Sequence, residues 1–129
     1  MKKLTIKLLS CILMVSIPMF GHHGTGVSFD NSKTVTFTGT VTEFRFANPH
    51  AQLFFDVKDA GGKVVNWGAE IESAYSLIQA GWSKRRSEEA LKPGTVVTVT
   101  MFPGKSGNPV GLSSKIVNAK GETVLTTRD

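Results

Sequence analysis

Leu53-Phe54-Phe55-Asp56-Val57-Lys58-Asp59-Ala60-Gly61-Gly62-Lys63-Val64-Val65-Asn66-Trp67-Gly68-Ala69-Glu70-Ile71 is the stretch on which the fold turns. Leu53, Phe55 and Val57 recur at every second position, and Val65, Trp67, Ala69 and Ile71 do the same after a Gly-Gly turn, so each run reads as a strand. A three-residue loop over Ala60–Gly62, with a glycine in the left-handed position, pairs Asp59 with Lys63. That register sets Val57 opposite Val65, Phe55 opposite Trp67 and Leu53 opposite Ala69. A slip of one residue would destroy this matching of apolar with apolar. Continued outward, it sets Gln52 opposite Glu70 and His50 opposite Glu72.

Upstream, 34–47 alternates Val35, Phe37 and Val41 with Thr34, Thr36, Thr38, Thr40 and Thr42. The apolar phase then slips to Phe44 and Phe46, and Gly39 sits inside the run, so a β-bulge or sharp bend is expected here. Asn48-Pro49 ends this strand, because proline cannot donate to a ladder. Downstream, Ser73 can cap a short helix over 73–80 that Gly81 stops. One further helical turn is expected at 87–91. Thr95–Phe102 and Val110–Val117 read as the fourth and fifth strands, and a short sixth follows the turn at 119–122. Three strands, a helix and two strands is the chain order of an OB-fold. The expectation is therefore an all-β, small OB-fold-like barrel of five to six strands, with one short helix between strands three and four. A six-stranded SH3-like barrel is the competing reading, and the helix favours the OB arrangement.

A chain of 129 residues with 40% hydrophobic and 19% charged residues suits one globular domain and excludes a disordered tail. Residues 1–21 read as a signal peptide: Lys2, Lys3 and Lys7 precede the apolar run Leu8–Ile17, and Pro18 and Gly21 follow. Leu8-Leu9-Ser10-Cys11 raises a lipoprotein alternative. Cleavage after Gly21 leaves an N-terminal arm, 22–33, and a single barrel domain, 34–129, in the periplasm or outside the cell. The mature chain then keeps no membrane span. The only cysteine, Cys11, lies in the leader, so disulfide, Cys-zinc and thiol chemistry are excluded from the mature chain. Without the leader 12 basic and 10 acidic residues remain. The one basic run, Lys84-Arg85-Arg86, is followed by Glu88-Glu89, which disfavours a nucleic-acid partner.

Few residues could carry chemistry. With His22 at a free terminus, its α-amine and Nδ1 form a six-membered chelate, His23 adds a second imidazole, and His50 a third if the arm folds back. An all-nitrogen set favours copper among the transition metals. Glu70 and Glu72 lie within cross-strand reach of His50 as carboxylate acceptors or alternative ligands. Such histidines can equally serve only to cap a turn or trail a cleavage site. Trp67 is expected in the barrel core, with ligand stacking as the lesser alternative. Trp82, after a glycine at a helix end, either plugs the barrel or lines a groove. Phe54, on the outward phase of its strand, could offer a ligand platform, with Asn48 beside the turn. No nucleophile, cofactor motif or phosphate-cradling loop is legible, so the expectation is a binding module rather than an enzyme. Its partner would be a transition-metal ion, a periplasmic protein or a small ligand.

His22-His23 after a leader, Phe29-Asp30, Thr36-Phe37-Thr38-Gly39-Thr40-Val41 and Asn48-Pro49-His50 are similar to the motifs of a family of small secreted bacterial proteins of unknown function. Trp67 with Glu70, Gly81-Trp82, Leu91-Lys92-Pro93-Gly94 and Gly111-Leu112 continue the resemblance over nearly the whole mature chain. The family has a serine after the paired histidines, where this chain has Gly24 and a longer Gly-Thr-Gly stretch. The resemblance implies an exported, periplasmic domain with no assigned activity. It supports the histidines and Asn48-Pro49-His50 as shared features.

Overall fold

Threonines on one side and apolar residues on the other make the first strand, β1 (Val35–Arg45), the spine of the structure. The computed structural model describes residues 28–127. After β1 come β2 (Gln52–Lys58), β3 (Val64–Glu70), two short helices α1 (Ala74–Gln79) and α2 (Lys84–Ala90), then β4 (Val96–Pro103), β5 (Val110–Asn118) and β6 (Thr123–Thr126). Antiparallel pairing runs β3-β2-β1-β4-β5-β6, and a parallel pairing of β3 with β5 closes five of these strands into a barrel. The fold is the expected all-β, OB-fold-like barrel, with β6 as an additional strand on β5.

The β2–β3 hairpin has the register read from its alternation, with Val57 opposite Val65, Phe55 opposite Trp67 and Leu53 opposite Ala69. Gly62 takes the left-handed conformation at φ 82°, and its N–H donates to the Asp59 carbonyl at 3.0 Å. In β1 the expected bulge and bend are two separate features. The bulge falls at Thr42, between Val41 and Glu43, and moves the apolar phase to Phe44. Gly39 lies where β1 hands over from pairing with β4 to pairing with β2. A Cβ there would overlap the Asp56 carbonyl and press on the Phe55 ring.

Three expectations are corrected. Two helices, not one, join β3 to β4, because Ser83 caps a second one by accepting from the Arg86 N–H. Its only buried side chain is Ser87, so it has no apolar stripe to betray it. The arm is not wholly irregular: Phe29 is buried and bridges to Gly104, and the Asp30 N–H donates to the Pro103 carbonyl at 2.9 Å. The Ser32 hydroxyl and amide, with Lys33 beside them, hold the Asp30 carboxyl below the usual carboxylate range and shape the turn into β1. Trp67 is only half-buried, packed against the edge of the core rather than inside it. The expected leader lies outside the described residues, as do His22 and His23.

Gly39→Val should lower stability by about 1–3 kcal/mol, the usual cost of forcing extra atoms into a packed site. Gly61→Ala, whose added Cβ meets nothing closer than the Asp59 carboxylate at 3.4 Å, should leave it nearly unchanged. Urea unfolding followed by tryptophan fluorescence separates the two, and equal midpoints would remove Gly39 from its role in the bend.

Candidate functional site around His50

The β2–β3 ladder becomes irregular just beyond Gln52. The Ala51 N–H donates to the Glu72 carbonyl at 3.0 Å, while the Ala51 carbonyl accepts from the Ile71 N–H at 2.9 Å. Two residues of one chain thus oppose one of the other, in the manner of a β-bulge. The Ile71 carbonyl, which a regular ladder would pair with Ala51, instead lies 3.3 Å from His50 Nδ1. The same Nδ1 sits 3.3 Å from Glu70 Oε1. Glu70, one of the two carboxylates expected within reach, thus lies on His50, while Glu72 is drawn into backbone pairing with Ala51 rather than standing opposite His50.

Both neighbours of Nδ1 are acceptors, so that nitrogen carries the hydrogen. In the neutral ring Nε2 then carries the lone pair. The imidazole is 36% exposed and the Glu70 side chain 28%, which leaves the pair at the surface but oriented from behind. Gln52 faces Glu70 across the ladder, and both line a cleft of about 150 Å3 with Phe29, Phe54 and Val110. The arm is thus anchored, through Phe29, against the cleft that contains Glu70. Among the described residues no three His, Cys, Asp or Glu side chains converge into a metal-binding group.

The other sequence-derived residues fall into structural positions. Asn48 Oδ1 accepts from the Tyr75 N–H at 3.1 Å, the Ala47 carbonyl takes the Ala74 N–H, and Ser73 takes that of Ser76. Together they satisfy the open donors at the start of α1. Trp82 is buried, its indole N–H donates to the Ser87 hydroxyl, and the Arg86 guanidinium covers the ring at 4.5 Å. It packs into the core where a groove had been the alternative. Phe54 carries the Arg45 guanidinium over its ring at 4.7 Å, and Arg45 is held in turn by two bonds to Glu43. That contact covers one face of the expected platform. Lys84 and Arg85 pair with Glu88 and Glu89 along α2, so the basic run is compensated within its own helix.

Sequence reasoning missed one residue near a candidate site and set another too deep in the core. Phe29, a lone aromatic in a polar arm, has no periodicity to place it. Trp67 matches the inward phase, but alternation gives the side of the sheet and not the depth within the barrel. Its position, second of the inward residues after the hairpin turn, is the signal that could have placed it near an open end.

Comparison with known proteins brings in one family. The model of a family of unknown function (DUF6152) matches residues 10–114, and the chain belongs to that family. No curated protein matches the chain. No helix among the described residues is long and apolar enough to cross a membrane.

The Asn48 contact has a measurable consequence. Asn48→Ala removes a cap from α1 and should cost about 1 kcal/mol in urea unfolding. An unchanged midpoint would show that the Tyr75 contact contributes nothing and would return Asn48 to the candidates for ligand recognition.

Proposed function

We propose that the protein is an exported, non-catalytic binding module that holds one transition-metal ion, copper(II) foremost, between the terminal His22 and His23 and the ring of His50. The observation that carries this reading is the pair of acceptors behind His50, the Glu70 carboxylate and the Ile71 carbonyl, each 3.3 Å from Nδ1. A metal-ligating histidine characteristically donates its other N–H to such a group, which fixes the tautomer and raises the basicity of the coordinating nitrogen. Here that nitrogen is Nε2.

Phe29 supports the assignment of the remaining ligands. It is buried at the cleft lined by Glu70, and His23 stands six residues before it. Six residues reach up to about 20 Å, enough to bring His23 and His22 to the Glu70–His50 pair. Soft donors are scarce: Met101 is fully buried, and the other methionines and Cys11 fall in the leader. Nitrogen and oxygen ligands suit divalent copper, zinc or nickel, and copper leads their order of affinity. Glu70 serves as the acceptor behind His50, and Glu72 is an alternative oxygen ligand.

Copper(II) titration of protein beginning at His22 should show one tight site. Protein carrying an added N-terminal methionine should bind at least ~10-fold more weakly, since the α-amine chelate is lost. His50→Ala should weaken binding of the processed form. Metal binding requires both the α-amine and the imidazoles to be deprotonated, so affinity should fall as pH drops through about 8 to 6. Equal affinity in the two N-terminal forms would reject the terminal chelate, and absence of binding in both would reject the metal reading.

A further inference from the structure

The two ends of the barrel are closed differently. β3 runs from the hairpin turn toward the helices, and from the helical end Leu77, Trp82 and Leu91 join the buried cluster that holds Val41, Leu53 and Ile71. At the hairpin end nothing comparable covers the inward-facing side chains among the described residues. Phe37, Val65 and Trp67 stay half-buried there, whereas their cross-strand partners Val99, Val57 and Phe55 are buried. A cavity of about 530 Å3 results, walled by Phe37, Val57, Val65, Trp67 and Pro109. Small-molecule sites typically measure about 300–1,000 Å3, and barrel mouths are a common place for them.

The chemistry of the lining narrows the occupant. The Phe37 and Trp67 rings stand 4.6 Å apart between centroids at 37°, making a continuous aromatic wall. Such a wall favours a flat apolar body that can stack or meet it edge-on. At the rim, Lys58 is exposed and is the one cation among the described residues that line the cavity. Asp59 beside it is engaged by the turn, its Oδ1 accepting from the Gly61 and Lys63 N–H groups at 2.9 Å each. Lys58 is therefore the group placed to meet charge on a ligand. We infer that the open barrel mouth is a binding site for a small amphipathic molecule, its flat apolar body on Phe37 and Trp67 and a single anionic group at Lys58.

This site is independent of the His50 pair. Trp67 and Glu70 stand three positions apart on β3, roughly 10 Å along the strand and on opposite phases of its alternation, and the mouth needs no metal. The test uses processed protein without metal and two fluorescent probes, anionic 1-anilinonaphthalene-8-sulfonate and neutral N-phenyl-1-naphthylamine. Each should bind once per chain with enhanced emission. Lys58→Gln, an exposed change that leaves the core untouched, should weaken the sulfonate about five-fold and leave the neutral probe unchanged. Val65→Trp should fill the mouth and abolish both, while Phe54→Ala on the outer face should affect neither. Equal sulfonate affinity with and without the Lys58 charge would overturn the assignment of the anionic group. Unchanged binding of both probes to folded Val65→Trp protein would overturn the site itself.

Discussion

Gly68, Ala69 and Glu70 run parallel to Val110, Gly111 and Leu112, and this three-residue seam is what turns a sheet into a barrel. Parallel neighbours cannot be joined by a tight turn, so the chain needs a long crossover, which α1, α2 and β4 provide. The seam also sets severe steric limits. A Cβ on Gly111 would overlap the Met101 side chain, and one on Gly68 would press on the Phe54 ring at 3.4 Å. Both limits come from the neighbouring strands, β4 and β2, against which the two glycines lie. The remainder of the architecture follows from that closure, since a closed barrel has two ends to fill and one line along which the arm can dock.

Two tryptophans show how local context settles the fate of similar residues. Trp82 is delivered to the helical end by the turn after α1, where Ser87 takes its indole N–H and Arg86 lies over the ring. A buried indole without such a partner would lose about 1–3 kcal/mol, so α2 and Trp82 depend on each other. Trp67 lies on the fourth pair from the hairpin turn and has Phe37 for a neighbour, with no helix above it among the described residues. The helical end is filled by residues that only tertiary packing brings together. The hairpin end receives a Gly- and Pro-containing loop, whose Gly107 and Pro109 meet the edge of the cavity without covering it.

What could be read beforehand follows from how each signal arises. Period-two alternation is strong where one strand face is buried, so the hairpin register, the strand order and the barrel class were all legible in 53–71 and its flanks. The helix α2 was legible only in part, because Lys84–Ala90 buries a single serine and carries no apolar period. Its cap at Ser83 was the available sign. Phe29 was hidden for the opposite reason: its burial depends on a bridge to Gly104, 75 positions away, which no local pattern encodes. The error at His50 was smaller and more instructive. Extending a correct register by two residues assumed that the ladder stays regular, and the shift at Ala51 makes that false.

That shift is also where structure and chemistry meet. A regular ladder would have used the Ile71 carbonyl in the pair with Ala51 and left His50 to find another acceptor. Because the Ala51 N–H goes to Glu72 instead, the Ile71 carbonyl and the Glu70 carboxylate converge on the same imidazole nitrogen. Two acceptors on Nδ1 restrict both the tautomer and the rotation of the ring, at a position where the imidazole is still over a third exposed. A histidine serving only to cap the turn would need one of these acceptors. A second acceptor holds the ring in one orientation more firmly than either would alone. The same carboxylate lines the cleft that Phe29 also lines, so the arm and the His50 pair border one cleft. Glu70 is in turn part of the parallel seam, opposite Leu112, and the geometry of the site is therefore set by the pairing that closes the barrel.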